Sequence, residues 1–296
     1  MAKIKQFEQE WIPKIDHLLD SQMDYDVSQP ELLAAMKYSV DAGGKRFRPL
    51  LGIATVITVN KQVGAVQLKA LSAIELLHTY SLIHDDLPAM DDDPIRRGKP
   101  SNHIKFGDAL ATLAGDGLQA LAFQWVVDNQ LPSNVRSELA SKLAIAAGPA
   151  GMVAGQADDV LNENHELSYD ALKKLHRNKT GALIHYAVES GLIVGGVNES
   201  DRKPFLEFAD AFGLAFQIYD DILDVISNER ELGKPVHQDS GKNTYPNLFG
   251  LSKSKEILAI TVSKAMDALD LISDEQGFDT KLLKEFCGYF KIEEIE

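Results

Sequence analysis

A chain of 296 residues with 45% hydrophobic and 25% charged residues can bury a large core and is too apolar to be disordered. Its formal net charge of -14 argues against a nucleic-acid partner and against binding to an anionic membrane surface. The single cysteine, Cys287, excludes a disulfide framework within the chain and points to a reducing compartment, so the expected location is the cytoplasm.

Taken in chain order, MAKIKQFEQEW lacks the apolar stretch of a secretory leader, and no run of about 18 apolar residues follows that would span a membrane. LLGIATVITV at 50–59 is rich in β-branched residues, but no partner strand with an alternating pattern is evident, so it is predicted to be a buried helix. AIELLHTYSLIHDDL, LATLAGDGLQALAFQWVV, RSELASKLAIAAG and FLEFADAFGLAFQIYDDILDVI place apolar residues three and four apart, the spacing of helices. Turns are predicted at DNQLPSN (128–134), NENHELS (162–168), VNESDRKP (197–204) and SDEQGFD (273–279). No shift in composition and no repeat divides the chain. The expectation is one all-α domain over residues 1–296, a large helical bundle. Helices that are apolar on more than one face belong at its centre or at an oligomer interface.

Two clusters of aspartate stand out. Asp85 and Asp86 close one apolar helix, and Pro88 disturbs the backbone, which puts Asp91, Asp92 and Asp93 on the following turn. Far along the chain, QIYDDILDV holds Asp220, Asp221 and Asp224, with Asp220 and Asp224 one turn apart on a helix face. Like charges this close are relieved by protonation, solvation or a bound cation. Hard oxygen ligands with room for water suit Mg²⁺, above all when substrate phosphates complete the shell. The first cluster lacks the glycine and the terminal glutamate of a calcium-binding EF-hand loop. The histidines at 17, 103, 165, 176, 185 and 237 show no metal-type spacing, and His84, which neither cluster needs as a ligand, is expected to be structural or to support the aspartates from behind.

The basic residues are few and clustered. GGKRFRP supplies Lys45, Arg46 and Arg48; RRG supplies Arg96 and Arg97; RNKTG supplies Lys179 beside Thr180; ELGKP and SGKNTYP supply Lys234 and Lys242. Guanidinium forks suit phosphate oxygens and lysine supplies a point charge. Two metal-type clusters and these cations on one helical scaffold point to a diphosphate ligand.

The blocks MKYSVDAGGKRFRPLL, HTYSLIHDDLPAMDDDPIRRGKPSNH, FGDALATLAGDGLQALAF, GMVAGQADD, HRNKTGALI, FGLAFQIYDDILD and GKNTYP occur in that order. Across nearly its whole length the chain closely resembles the trans-isoprenyl diphosphate synthases. The resemblance implies an all-α fold around a central active-site cavity and, in most members, a homodimer. It implies that Asp85, Asp86 and Asp91, with Asp220, Asp221 and Asp224, bind three Mg²⁺ and the diphosphate of an allylic substrate. Isopentenyl diphosphate would lie on Lys45, Arg48, His78 and Arg97. Arg96, Lys179 and Lys234, with Lys242 nearby, would grip the allylic diphosphate, and Thr180 and Gln217 would line the cleft where an allylic cation forms.

The resemblance also makes the residues just before the first aspartate cluster the limit on chain growth. Helix geometry puts Ser81 one turn from Asp85 and turns Tyr80 away from it, so the role of Tyr80 as the floor rests on the resemblance. An aromatic there, with Pro88 and Ala89 expanding the motif, looks like the bacterial type that stops at a C15 product, farnesyl diphosphate. A geranylgeranyl or geranyl diphosphate synthase of the same fold and a non-catalytic regulatory subunit are the rivals. The six retained aspartates oppose the subunit, and GGKRFRP opposes a terpene cyclase. The chain ends in YFKIEEIE, without the basic terminus of many relatives, which leaves its C-terminus without an expected role.

Overall fold

The computed structural model describes residues 2–163, 165–226 and 243–290. The described residues are helical except for turns and one two-residue hairpin. In order the helices are α1 (Ala2–Asp26), α2 (Pro30–Val40), α3 (Phe47–Thr58), α4 (Ala65–Asp85), α5 (Asn102–Phe106), α6 (Asp108–Val127), α7 (Ser133–Ala147), α8 (Met152–Leu161), α9 (Tyr169–His176), α10 (Ala182–Gly195), α11 (Lys203–Ile226), α12 (Tyr245–Phe249), α13 (Leu251–Gln276) and α14 (Lys281–Cys287).

The helices that are apolar all round do lie at the centre. The β-branched stretch at 50–59 is α3, with Leu50, Leu51, Ile53, Ala54 and Val56 all buried. It packs on α10, whose Leu183, Ile184, Ala187, Val188 and Leu192 are equally buried. Two further pairs flank this centre, α4 against α6 and α11 against α13. Burial on more than one face supports these helices without strong amphipathicity, because packing outweighs intrinsic propensity. Trp125 at the heart of α6 donates from Nε1 to Asp26 Oδ2 at 2.7 Å and so ties the end of α1 to the core.

The predicted turns hold with one adjustment. Ser168 caps α9 by accepting from Ala171 N at 3.3 Å. The residues SDEQ complete α13, and the chain turns only at Gly277, whose φ is +72°. The hairpin was not foreseen. Strands β1 (Ile95–Arg96) and β2 (Lys99–Pro100) pair antiparallel across Arg97 and Gly98, at φ +54° and +73°. Two successive positive φ values make the tight turn whose twist matches paired strands. No alternating pattern can be read in strands of two residues.

Candidate active site

Three pieces of chain converge: the end of α4 with the hairpin after it, the turn between α9 and α10, and the second half of α11.

Asp85 ends α4 and Asp86 caps it. Asp86 is buried and faces Arg96, which donates to its Oδ1 from Nε at 2.9 Å and from a second guanidinium nitrogen. Arg96 also reaches Asp93 at 3.1 Å. The hairpin therefore hands a cation back to the cluster that precedes it. Asp85 keeps a different environment. Burial first, then the neighbouring Asp91 and Asp86, push its carboxyl up to about 6 against the pull of Lys179 and Arg96. Asp91 is exposed, on the turn beyond Pro88.

Residues Arg177–Gly181 form a single π-helical turn. Helix α8 passes so close to it that a Cβ at Gly155 would stand 2.2 Å from Lys179 N; only glycine fits. Lys179 Nζ meets Asp159 Oδ2 at 2.5 Å, and its charge reaches Asp85. Thr180 donates from Oγ1 to Gln217 Oε1 at 2.6 Å, and Gln217 Nε2 donates to Asp221 Oδ1 at 2.8 Å. The other oxygen of Asp221 accepts from Tyr245 N at 3.0 Å. A continuous chain of hydrogen bonds thus fixes the π turn to the second aspartate cluster on α11. Asp221 and Asp224 are buried, and Asp220 is half-buried.

The basic wall faces these clusters. Arg48 is half-buried, feels the charges of Glu75 and Asp220, and has a buried Nε that makes no hydrogen bond. Burial pushes its guanidinium down from the ordinary arginine value. Arg97 donates to Gly43 O from the hairpin turn. A Cβ at Gly44, where φ is +140°, would press within 3.0 Å of that guanidinium. His78 is held well below the usual imidazole value by burial first and then by Arg48, Arg97, Arg96 and Arg46, so it is neutral at pH 7. Lys45 is exposed, donates to Tyr289 Oη at 2.7 Å and lies 4.4 Å over the Tyr289 ring.

Below the first cluster, Tyr80 is buried and meets the His84 ring edge-on at 5.5 Å, with the Gln119 side chain as its hydrogen-bond partner. His84 in turn bonds Thr112 O at 3.0 Å, the structural place expected of it. Ser81 turns its hydroxyl back on His78 O at 2.8 Å.

Of the residues proposed from the sequence, Lys234 and Lys242 lie outside the described residues, as do His237 and the acidic end at 291–296. The others fall in this region. Four contributors were missed: Tyr289 against Lys45, Asp159 against Lys179, Gln119 against Tyr80, and Glu75, a buried carboxylate among the arginines. Glu75 carried a signal, since it is an acid inside an otherwise apolar helical stretch, and Asp159 lies in the GMVAGQADD block.

The polyprenyl synthetase family profile matches residues 29–273. Among curated proteins, the farnesyl diphosphate synthase of Geobacillus stearothermophilus is 46% identical over 267 residues, covering 88% of this chain and 90% of that one. A geranylgeranyl diphosphate synthase of Cyanophora paradoxa is 40% identical over 240 residues, 79% of this chain and 80% of that one. Among solved structures, the Helicobacter pylori geranyltransferase complexed with magnesium and isoprenyl diphosphate superposes with a TM-score of 0.82 at 33% identity, covering 96% of both chains. The chain belongs to the polyprenyl synthetase family.

Proposed function

We propose that this chain is a Mg²⁺-dependent prenyltransferase. It would join isopentenyl diphosphate head-to-tail to dimethylallyl and then geranyl diphosphate, giving (2E,6E)-farnesyl diphosphate and diphosphate. The observation that carries the reading is a pair of anion sites of opposite character in one cleft. On one side stands Arg48 with a buried donor that no protein acceptor uses. On the other stand two carboxylate clusters, with Lys179 acting on Asp85 of the first and its neighbour Thr180 tied through Gln217 to Asp221 of the second.

The residues fit Mg²⁺. The donors are hard carboxylate oxygens, and Asp85, raised first by burial and then by the neighbouring Asp91 and Asp86, is a group whose charged form a bound cation would favour. Among the described residues no three carboxylate, imidazole or thiol side chains close a cage of their own, so any ion held here would need water or substrate phosphate to complete its shell. Asp85, Asp86, Asp91, Asp220, Asp221 and Asp224 would hold the ions, three of them with substrate present. When bound, Mg²⁺ neutralises the allylic diphosphate and makes it a competent leaving group.

The chain's own groups do the rest. Lys179 and Arg96, with Lys234 and Lys242, grip the allylic diphosphate, while Lys45, Arg48, His78 and Arg97 hold isopentenyl diphosphate by charge-assisted hydrogen bonds. The allylic C–O bond breaks to give a cation. The double bond of isopentenyl diphosphate supplies the electrons of the new C–C bond, and the released diphosphate takes the proton lost in elimination. Thr180 spends its O–H on Gln217, so its lone pairs are left to face positive charge. Phe47, Phe216 and Tyr289 pack ring on ring beside Lys45 and keep water from the cation. Tyr80, with Ser81 beside it, stops growth at C15.

The 40% identity to a geranylgeranyl diphosphate synthase keeps a C20 product as the second reading. The retained aspartates speak against a non-catalytic subunit. No described helix is long and apolar enough to cross a membrane, and with the lone buried cysteine this favours the cytoplasm. The test is to incubate the purified protein with Mg²⁺, radiolabelled isopentenyl diphosphate and dimethylallyl diphosphate, then dephosphorylate and resolve the products. A dominant C15 alcohol is expected. A C20 alcohol would remove the Tyr80 stop, and no product from folded protein would overturn the activity.

A further inference from the structure

Arg46 lies between two residues assigned to isopentenyl diphosphate, yet it points the other way. Its backbone sits in the left-handed region at φ +48°, an uncommon state for a long side chain. That conformation starts α3 and sends Arg46 inward, where its side chain is 3% exposed. There the guanidinium has three partners from three helices. Nε donates to Asp16 on α1 at 2.7 Å, one terminal nitrogen to Glu75 on α4 at 3.0 Å, and the other to Val40 O at the end of α2 at 2.8 Å.

Glu75 is the informative partner. Its side chain is also 3% exposed, and it lies one turn before His78 on α4. Besides Arg46, its negative charge acts on Arg48 and Arg97. Three cations thus face one buried carboxylate, and two of the three are those the substrate diphosphate needs. A buried carboxylate without a committed partner captures whatever cation is in reach, because an unpaired charge there is costly.

We propose that Arg46 is a positioning residue for isopentenyl diphosphate: by holding Glu75 and, through Val40 O, the end of α2, it keeps Arg48 and Arg97 available to the incoming diphosphate. Removal of Arg46 leaves Glu75 to pair with Arg48 and Arg97, and the carboxylate then competes with substrate for them. The inference rests on the assignment of Arg48 and Arg97 to isopentenyl diphosphate.

The test is steady-state kinetics on four variants, with each KM measured separately and folding followed by circular dichroism. Arg48→Ala checks the underlying assignment; a KM for isopentenyl diphosphate that stays within twofold of native overturns that assignment, whatever Arg46 does. Arg46→Met is expected to raise the KM for isopentenyl diphosphate at least tenfold and to leave the KM for geranyl diphosphate within about twofold. Adding Glu75→Gln to Arg46→Met is expected to bring the raised KM back to within about threefold of native. A purely structural Arg46 predicts no such recovery, and its absence in folded double variant overturns the proposal. Where Arg46→Met does not fold, Glu75→Gln alone decides. Arg46 keeps Asp16 and Val40 O there, so the KM for isopentenyl diphosphate should equal or fall below native. A tenfold rise would show that Glu75 holds the arginines in place rather than competing for them.

Discussion

The basic wall and the acidic mouth of the cleft compensate their charge in opposite ways. The wall carries a built-in counter-charge: Glu75 is buried in an ion pair with Arg46, its charge also acts on Arg48 and Arg97, which keep a positive surplus, and His78 is kept neutral. The mouth is compensated only in part. Arg96 answers Asp86 and Asp93, and Lys179 answers Asp159, while burial and then the nearby Asp91 and Asp86 leave Asp85 near 6. A preformed wall can receive a diphosphate directly. A mouth with excess carboxylate receives one only together with cations. On the proposed function, the difference would let one cleft sort two substrates that share the same headgroup.

The comparison can be broken at either end. The largest effect is expected from Asp220→Asn, which should lower turnover by about 10³-fold. It should leave the KM for isopentenyl diphosphate within about threefold, and an equal rise in that KM would merge the two sites. Next, Tyr80→Ala removes the buried ring under the mouth. Stability should fall by about 3 kcal/mol in denaturant titration, and products longer than C15 should appear. An unchanged product length would leave Tyr80 as a core residue only.

A pH experiment sharpens the acidic side. His176 ends α9 below the π turn, is buried, and packs at a tilt against Tyr245, the residue whose N–H holds Asp221. Burial lowers its imidazole to about 4. The unfolded chain therefore binds the proton first as pH falls. The stability tied to neutral His176 is full above about 6.5 and is lost as pH drops through 4, roughly 3 kcal/mol in all. His176→Phe should flatten that part of the stability profile, and a parallel profile in the variant would place the acid sensitivity elsewhere. The smallest effect belongs to the wall. Tyr289→Phe removes one hydrogen bond to Lys45 and keeps the ring beneath it, so the KM for isopentenyl diphosphate should rise about two- to fivefold, worth about 1 kcal/mol.

Much of this was legible in the chain. Apolar spacing named most of the long helices, and the apolar run at 50–59 named α3 as buried, whereas α10 was not singled out and the choice between bundle centre and oligomer interface stayed open. Paired aspartates at helical spacing marked the mouth. What escaped depends on direction or on distance along the chain. GGKRFRP does not say that Arg46 turns inward while Lys45 and Arg48 face the cleft, because a single positive φ decides it. RNKTG does not announce a π turn, which needs α8 at close quarters with Gly155. Tyr289 reaches Lys45 across 244 positions, and only the packing of α14 and the turn after it against α3 brings the two together. The hairpin was hidden because two-residue strands hold no period, although Arg97 and Gly98 form its turn.

The most direct test of a wall with a built-in counter-charge facing a cation-dependent mouth is calorimetric. Isopentenyl diphosphate and a non-ionisable thio analogue of geranyl diphosphate would each be titrated into the protein, with Mg²⁺ and with the metal chelated. Isopentenyl diphosphate should bind with an affinity changed less than about fivefold by chelation, and the analogue should lose at least about 100-fold, roughly 2.7 kcal/mol. Equal dependence of both ligands on Mg²⁺ would contradict the account.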